Sequence, residues 1–355
     1  VKRVLPRINE EINEEWISDK TRYACDGLKN QRLDNPLIKN NGNFEEISWQ
    51  DAYKKIKEKI LKTSPDKIVG LTGDMTNMET MFAVKNLFQK ILNSSYLDSR
   101  AKHTYINFEN RSNYLFNSSI EGIEESDLIL LIGTNPRFEA TILNSRIRKT
   151  YLKNKTEIFS LEDVGDLTYP YKVLENNSKV IDKIIKNEHN LSNKIASAEK
   201  PIIILGQSIL NSNNGAYIFE ELKKYLTSIN KIDDNWNALN ILSTDASAVG
   251  SYDLGIFSSN DGSNKTLKKI EDGDAKVIFL LGQDNLKIKK NNEFIIYIGS
   301  HGDNGADMAD LILPGAAYTE QDGYFTNLEG KLQKAYKASY PPGEAKEDWQ
   351  IINEL

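Results

Sequence analysis

The sequence has 355 residues, of which 39% are hydrophobic and 27% are charged, with a net charge of −6 and a pI near 5.4. This length allows more than one domain and a large buried core. No apolar stretch approaches the roughly 18 residues that a membrane span needs, and the acidic balance argues against a nucleic-acid surface, which requires clustered Lys and Arg.

Cysteine content restricts the redox chemistry open to the chain. The single cysteine, Cys25, can form no internal disulfide and cannot by itself hold an iron–sulfur cluster, which takes about four thiolates. This usage favours a reducing compartment. Because the sequence begins at Val1, with neither a Met nor an apolar signal segment, we expect a processed or truncated chain.

The first 35 residues are polar and charged and contain no aliphatic run. NEEINEEWISDK (9–20) predicts a short helix, and CDGL (25–28) predicts a turn in which Cys25 is a passive residue. We interpret residues 1–39 as a connector or docking arm rather than as part of a core.

An amphipathic helix is predicted next, in ISWQDAYKKIKEKILK (47–62). Ser48 suits the N-cap, with Asp51 as its carboxylate partner, and Ala52, Ile56 and Ile60 recur on one face. From this helix onward the chain alternates strand-like and helix-like segments.

Seven aliphatic runs predict strands at 67–73, 127–133, 156–161, 200–206, 275–282, 293–299 and 309–315. They are continuous rather than alternating, which is typical of parallel strands covered by helices on both faces. Helices are predicted between them, including 78–92, 136–153 and 217–229, and a last helix follows the two prolines in YPPGEAKEDW (340–349). The pattern predicts an α/β protein with two parallel sheets.

The turn after the second of these strands, in DLILLIGTNPRFEA (127–140), has the layout of a phosphate-binding site. Asn135 can cap a helix, Pro136 suits its first position, and Arg137 could add a cation for an anion. However, neither a G-x-G-x-x-G nor a G-x-x-x-x-G-K-[ST] motif is present. We therefore interpret this turn as a structural cap with a surface arginine.

No other motif indicates catalysis. His103, His189 and His301 lie far apart in sequence and outside any zinc motif, and His189 is expected to be solvated. His301 begins a glycine-rich stretch that also carries Asp303, Asp307 and Asp310, whose carboxylates could accept hydrogen bonds from a ligand. The residues alone favour the alternative that they cap turns in a long loop.

Several longer stretches carry a family resemblance. They are LPRINEEINEEWISDKTRYACDGLKNQRLDNP (5–36), RSNYLFNSSIEGIEESDLILLIGTNPRFEATILNSRIRK (111–149), GSHGDNGADMADLILPGAAYTEQDGYFTNLEGKLQ (299–333) and PPGEAKEDWQIINEL (341–355). In this order they resemble the C-terminal, molybdopterin-oxidoreductase-like part of the large iron–sulfur (75 kDa) subunit of respiratory complex I. A smaller departure from the family is Lys331, where relatives usually have Arg, which weakens a two-pronged contact.

The resemblance implies a fold of two Rossmann-like parallel-sheet domains of the formate dehydrogenase-like type, one inserted in the other. The implied division is residues 40–104 plus 265–335 for a discontinuous domain, 105–264 for the inserted domain, and 336–355 for a C-terminal helix segment.

The resemblance also bears on cofactors, because complex I members are understood to have lost molybdopterin. An enzyme of this family needs a metal-binding side chain near the start of the inserted domain, where KHTYINFENRSN (102–113) offers only Ser112. We interpret Ser112 as a loop or helix-capping residue and expect no catalytic, cofactor or metal residue in this chain. Iron–sulfur clusters and FMN are expected in partner chains or in a missing N-terminal region.

The function implied is that of a non-catalytic structural subunit, or subunit fragment, of the NADH-dehydrogenase module of complex I. Partners would be other subunits of the hydrophilic arm, especially the cluster-bearing domain and the flavin- and NADH-binding subunits, with no nucleic acid and no membrane span. The expected location is the matrix side of the mitochondrial inner membrane, or alternatively the bacterial cytoplasmic face. The rival interpretations are a molybdopterin-dependent oxidoreductase that retains its cofactor and a free-standing nucleotide-binding module.

Overall fold

The computed structural model describes residues 3–175, 177 and 179–355. The strands within these ranges are, in chain order, β1 (Leu37–Asn40), β2 (Asn43–Glu46), β3 (Ile68–Thr72), β4 (Leu97–Asp98), β5 (Leu128–Ile132), β6 (Glu157–Ser160), β7 (Lys172–Val173), β8 (Pro201–Gly206), β9 (Leu239–Leu242), β10 (Val277–Leu281), β11 (Phe294–Gly299), β12 (Leu311–Pro314), β13 (Gly323–Thr326) and β14 (Leu332–Ala335).

The α-helices in the same ranges are α1 (Asp19–Tyr23), α2 (Trp49–Leu61), α3 (Met78–Asn86), α4 (Pro136–Glu139), α5 (Thr141–Asn154), α6 (Lys179–Ile185), α7 (Asn190–Ser197), α8 (Gln207–Leu210), α9 (Gly215–Ser228), α10 (Ala248–Asp253), α11 (Lys265–Glu271), α12 (Asn304–Met308) and α13 (Asp348–Glu354). Shorter 3-10 turns add Ala24–Lys29, Pro65–Lys67, Arg111–Asn113 and Glu121–Glu125, and α3 continues into a π-helical turn at Leu87–Ile91.

The described strands form two main sheets and one separate hairpin. The large sheet has seven strands in the order β2-β1-β12-β11-β10-β3-β4, and the small sheet has five in the order β7-β6-β5-β8-β9. Strands of the small sheet all come from 128–242, whereas the large sheet combines strands from 37–98 with strands from 277–314. The third unit is the hairpin of β13 and β14.

All seven predicted strands form, and the parallel α/β class is confirmed. The central strands pair in parallel, and every residue of β3, β5 and β10 is buried. One apolar cluster lies on each face of each sheet, so both sheets are covered on both sides. The antiparallel pairing of β1 with β2 and β12 was not predicted, because β1 and β2, at one end of the large sheet, are too polar and too exposed to be distinguished from loop.

The amphipathic helix predicted over 47–62 is confirmed as α2. The Ser48 hydroxyl accepts a hydrogen bond from the Asp51 amide at 3.1 Å and donates to the Asp51 carboxylate at 2.8 Å, while Ala52 and Ile56 are buried. Local sequence therefore fixes the start of this helix.

Three helix predictions need correction. The helix predicted over 9–20 is wrong: residues 9–14 form a tight turn in which the Asn9 and Glu14 backbones pair, and α1 begins only at Asp19, capped by Ser18. The helix predicted over 136–153 is interrupted at Ala140, which adopts a non-helical conformation, φ −149° and ψ 69°. The C-terminal helix is limited to α13, and the residues from 336 to 347 approach it without helix.

Candidate functional site

The turn between β5 and α4 is built as the sequence predicts. Gly133 has a φ of +63°, and the Asn135 side chain accepts a hydrogen bond from the Arg137 amide at 3.1 Å while donating to the Val164 carbonyl at 2.8 Å. Pro136 occupies the first position of α4. Asn135 is therefore a structural cap that also ties the turn to the loop after β6.

The donors of this turn bind acceptors of the chain itself. The Glu139 carboxylate accepts hydrogen bonds from the Asn135 amide and from the Thr134 hydroxyl, both at 2.9 Å. Arg137 donates to the carboxylate and the carbonyl of Asp166 at 2.6 and 2.7 Å. The groups that a phosphate would need are thus engaged by carboxylates, as the structural interpretation of the turn expects.

A cavity of about 360 Å³ lies where the carboxyl ends of β3, β10, β11 and β12 meet the 3-10 turn Ala24–Lys29. We call it the β10–β12 cavity. Tyr297 and Asp348 are buried in its wall, and the exposed side chains of Met75 and Tyr318 lie toward solvent. In open parallel sheets this edge is the usual place for a ligand.

The charged lining of the β10–β12 cavity is acidic. Asp284, Asp303 and Asp348 line it, and no Lys or Arg does among the residues described. Asp284 accepts hydrogen bonds from the Tyr297 hydroxyl at 3.1 Å and the Gly305 amide at 3.0 Å, yet burial raises its pKa. Burial also raises the pKa of Asp348 to about 7. A pyrophosphate placed here would meet carboxylates rather than cations.

The glycine-rich stretch that follows β11 contributes to this cavity only in part. His301 and Asp303 line it, but Asp303 caps α12 and His301 contacts the Ser300 hydroxyl and the Gly27 carbonyl. Asp307 is exposed on α12, and Asp310 binds the Ile295 amide and Lys290 at the sheet edge. These contacts fit the turn-capping interpretation of the stretch.

A second cavity, of about 220 Å³, lies between the carboxyl ends of the two sheets, with Asp74, Lys102 and Gln207 in its lining. Arg100 also lines it, but its guanidinium is held by both oxygens of Asp98 at 2.8 Å. Burial, reinforced by the charge of Asp245, raises the pKa of Asp74 to about 6. We call it the inter-sheet cavity.

The remaining predicted candidates lie apart from both cavities or lack reactive surroundings. Ser112, in the 3-10 turn Arg111–Asn113, donates to the Asn110 side chain, so it is capped by Asn110 rather than acting as a cap. His103 pairs with Glu271 at an exposed site. His189 is not merely solvated, because its ring accepts from the Leu191 amide and caps α7. Cys25 is buried, with 2% of its surface exposed.

No group of three or more His, Cys, Asp or Glu side chains suited to a metal ion occurs in the part of the chain that the structure describes. None of the helices there combines the length and hydrophobicity needed to cross a bilayer.

The N-terminal segment, defined here as residues 3–34, contacts both sheet units. Its first half meets α5 beside the small sheet: the buried Arg146 donates to the Glu10 and Ile12 carbonyls, and Lys149 pairs with Glu14 at 2.5 Å. Glu11 pairs with Lys331 at the tip of the β13–β14 hairpin at 2.5 Å. Lys331 is therefore a contact between the hairpin and this segment.

The second half of the segment is tied to the large sheet. Arg32 forms a two-pronged pair with Glu320, with both distances 2.6 Å and the side chains only 12% and 6% exposed. The Gly302 amide donates to the Gln31 carbonyl at 2.7 Å, and the Leu33 amide donates to the Ser300 carbonyl at 3.1 Å. The segment thus forms one wall of the β10–β12 cavity.

The family matches are consistent with this architecture. Residues 32–355 match the molybdopterin oxidoreductase family. The chain belongs to the molybdopterin oxidoreductase family. Residues 1–26 match the "NADH-ubiquinone oxidoreductase NDSU1/NuoG-like, 4Fe-4S domain" family. The cluster-domain match ends within the N-terminal segment, beside Cys25.

Curated relatives match the whole chain. The chain is 41% identical to the NADH-ubiquinone oxidoreductase 75 kDa subunit of Reclinomonas americana, 42% identical to an NADH-quinone oxidoreductase subunit of Rickettsia bellii, and 40% identical to the mitochondrial NADH-ubiquinone oxidoreductase 78 kDa subunit of Candida albicans. Each match covers 100% of this chain but 53%, 51% and 49% of the relative. The chain therefore spans about half the length of these relatives, which include mitochondrial and bacterial subunits.

Solved structures share the fold at low identity. A chain of the formyltransferase/hydrolase complex FhcABCD of Methylorubrum extorquens superimposes with a TM-score of 0.60 at 12% identity, covering 90% of this chain and 96% of that one. Acetylene hydratase of Pelobacter acetylenicus gives 0.54 at 14% identity, covering 97% and 64%. These likenesses support the fold of this family.

Sequence reasoning missed four residues that decide the character of these sites: Glu139, Arg32, Glu320 and Asp348. The role of Glu139 could have been predicted from the sequence, since this residue lies one turn after the helix start at Asn135 and Pro136. The partners of Arg32 and Asp348 are distant in the chain and carry no local signal.

Proposed function

We propose that this chain is a non-catalytic part of the iron–sulfur subunit in the NADH-dehydrogenase module of respiratory complex I. It supports the domain whose clusters pass electrons from NADH and FMN toward ubiquinone. The family assignment and the relatives, which are named as subunits of NADH-ubiquinone and NADH-quinone oxidoreductase, support this proposal.

One observation carries the supporting role. Residues 1–26, which match a 4Fe-4S domain family, contact Arg146 and Lys149 of α5, and Arg32, a few residues further on in the same N-terminal segment, pairs with Glu320. Such a segment cannot rotate freely, because its two halves are fixed to different sheets. A cluster domain continuing from it would be held at a defined distance and orientation.

We further propose that the chain itself carries no molybdopterin and no cluster. The β5–α4 turn has its donors engaged by Glu139, the β10–β12 cavity is acidic, and Ser112 lies in neither cavity. These residues do not suit a dinucleotide pyrophosphate or a metal ligand. Iron–sulfur clusters and FMN then belong to partner chains or to the region that precedes residue 1 in longer relatives.

The domain division is part of the same proposal. Residues 40–104 and 265–335 would build one discontinuous domain, with 105–264 inserted, 1–39 as the docking arm and 336–355 as the C-terminal segment. The origin of the two sheets, from 37–98 plus 277–314 and from 128–242, supports the division into a discontinuous and an inserted domain, although β1 (Leu37–Asn40) already belongs to the large sheet and begins within the proposed arm.

The proposed partners are the hydrophilic-arm subunits, above all the cluster-bearing domain and the flavin- and NADH-binding subunits. The proposed location is the matrix side of the mitochondrial inner membrane. The mitochondrial relative supports the organelle, and bacterial relatives leave the cytoplasmic face of a bacterial membrane as the alternative.

A native gel tests the assignment first. Membranes of the source cells are mildly solubilised, separated, stained for NADH oxidation and probed with an antibody against this chain. Co-migration with a very large NADH-oxidising band is expected. Migration as a small free species would reject the assignment to complex I.

Metal analysis separates the proposal from a cofactor-retaining oxidoreductase. The purified chain is expected to contain no molybdenum, and replacement of Ser112 by Ala should leave NADH oxidation by the assembled complex unchanged. Stoichiometric molybdenum, or an inactive Ser112→Ala complex, would support the enzyme alternative.

Charge reversal tests the role of the N-terminal segment. Lys149→Glu should reduce the yield of assembled, NADH-oxidising complex, because it replaces an attraction to Glu14 by repulsion. Lys153→Glu, on the same helix but without a contact to the segment among the residues described, is the matched control. Equal assembly of both variants would contradict the bracing role.

Cys25 offers a separate test of where the clusters lie. Replacement by Ala is expected to leave NADH oxidation and the electron paramagnetic resonance signals of the assembled complex intact, because no other metal ligand group accompanies Cys25 in the described residues. Disappearance of one cluster signal would assign Cys25 to a cluster shared with a partner.

A further inference from the structure

Asp348 is a buried carboxylate with an incomplete set of partners. Only 9% of the residue is exposed, and its Oδ1 accepts one long hydrogen bond, from the Ala316 amide at 3.3 Å. Within the part of the chain that the structure describes, Oδ2 has no hydrogen-bond partner and no Lys or Arg forms an ion pair with either oxygen. In its charged form this carboxylate lacks a counter-charge, so burial raises its pKa to about 7, and a cation beside it would favour the charged form.

The backbone around Asp348 leaves room for its carboxylate. A Cβ atom added to Gly315 would lie 2.2 Å from Asp348 Oδ1, so the glycine permits the side chain to point toward the β10–β12 cavity that it lines. Asp284, on the same cavity, already has the Tyr297 hydroxyl and the Gly305 amide as donors. Within the described residues, Asp348 Oδ2 is therefore a cavity-lining carboxylate oxygen that still lacks a donor.

The surroundings define what could supply that donor. Three carboxyl groups and the absence of Lys and Arg from the described lining disfavour an anion, and a bare metal ion has no set of three acidic, His or Cys ligands in the described residues. The volume, about 360 Å³, is in the lower part of the range typical of small-molecule sites. Leu28, Met75 and Ala317 add apolar wall beside Asp348. A cationic head group on an alkyl stem fits the acidic lining, the volume and the apolar wall.

We propose that the β10–β12 cavity binds an alkylguanidinium or alkylammonium cation, whose head group donates to Asp348 and whose stem packs against Leu28, Met75 and Ala317. Binding to the isolated chain does not require the proposed role in complex I. Two sources share the chemistry: a free amine, or a basic side chain of a partner subunit.

Agmatine is a suitable probe, because it joins a guanidinium to a four-carbon stem. Isothermal titration of the full 355-residue chain should show saturable binding of agmatine, whereas inorganic pyrophosphate and Mg²⁺ should give none. In Asp348→Asn we expect agmatine affinity to fall at least tenfold, with unchanged affinity in Asp166→Asn, a matched control at an exposed ion pair. Absence of binding, or equal binding to Asp348→Asn and wild type, would overturn the proposal.

A second variant guards against misfolding of Asp348→Asn. Met75 is half exposed at the mouth, so Met75→Arg should fold and should compete with agmatine by placing a cation at the entrance. Weakened agmatine binding in Met75→Arg is expected, and unchanged binding would contradict the assigned location.

The native complex distinguishes the two sources. If agmatine binds both the isolated chain and the purified complex, the natural ligand is a free amine. If it binds only the isolated chain, a basic side chain of a partner already fills the cavity. If it binds neither, the site does not exist as proposed. The failure of the complex I assignment would instead appear on the native gel, without affecting binding to the isolated chain.

Discussion

The turn after β5 and the β10–β12 cavity lie at corresponding edges of the two sheets, where parallel strands end and ligands usually bind. The turn has the layout of a phosphate site, but its Asn135 amide and Thr134 hydroxyl donate to the Glu139 carboxylate. The cavity is open, but Asp284, Asp303 and Asp348 line it. One edge is therefore filled by an internal acceptor, and the other is lined by carboxyl groups. The comparison teaches that two edges of one architecture can disfavour a phosphate in two different ways.

The two edges also differ in how firmly they are held. A nearly buried two-pronged ion pair, Arg32 with Glu320, fastens the wall of the cavity, whereas an exposed pair, Arg137 with Asp166, fastens the turn. Since the strength of an ion pair depends on its solvent exposure, the edges should respond differently to mutation.

The largest effect is expected for Arg32→Ala. Removing the guanidinium leaves the Glu320 carboxylate buried with one backbone donor, the Ala317 amide, so the free energy of unfolding should fall by about 3–5 kcal/mol. Urea denaturation measures this loss. Arg32→Lys should lose less stability than Arg32→Ala, because it retains the charge although it cannot contact both Glu320 oxygens. Equal losses in the two variants would show that the charge contributes nothing without the two-pronged geometry.

Asp348→Asn should change how stability depends on pH. The pKa of Asp348 is raised from 3.8 to about 7, so between these values the folded state holds a proton that the unfolded state has released. Stability is therefore fully present below pH 4 and is lost as the pH rises toward 7, by a few kcal/mol on the scale of about 1.4 kcal/mol per pKa unit.

Melting temperatures of wild type and Asp348→Asn between pH 4 and 8 measure this difference. The variant should lose less stability across that range and should be the more stable protein at pH 8. Asp74, whose pKa is also raised, affects the pH dependence of both proteins equally, so the difference between the two melting curves reports the effect of Asp348. Parallel curves would show that Asp348 is already charged in the folded protein at low pH.

Glu139→Gln tests whether the β5–α4 turn depends on its internal acceptor. The amide loses the charge of the carboxylate, and its NH2 group can meet the Thr134 hydroxyl only as a donor, so two charge-assisted hydrogen bonds become neutral ones and a loss of about 1 kcal/mol is expected in urea denaturation. Glu121→Gln, at an exposed carboxylate, is the control. If both changes are neutral, the turn does not need a bound carboxylate.

The smallest effect is expected for Arg137→Ala. Its pair with Asp166 is exposed, and such pairs contribute roughly 0–1 kcal/mol, less at high salt. Melting temperatures at low and high ionic strength measure the loss. A loss that exceeds that of Arg32→Ala would reverse the contrast between the two edges.

Local sequence accounts for much of the fold. Continuous aliphatic runs place the buried strands, because burial on both faces leaves no polar alternation, and Ser48 and Asn135 place helix starts through their own side chains. The helix predicted over 9–20 failed because its charged residues bind partners in α5 and the β13–β14 hairpin rather than one another. Helical periodicity carries no information about such partners.

The sequence by itself determined the α/β class, the strand positions and, through family resemblance, the group of proteins to which the chain is similar. Only the tertiary structure decided the character of the two edges. Arg32 donates to Glu320, which lies 288 residues further along the chain, and the Ala316 amide donates to Asp348, which lies 32 residues further along. The order of strands in the large sheet brings these segments together. Burial and pairing then set the charge of each site, and both depend on neighbours that are distant in the chain.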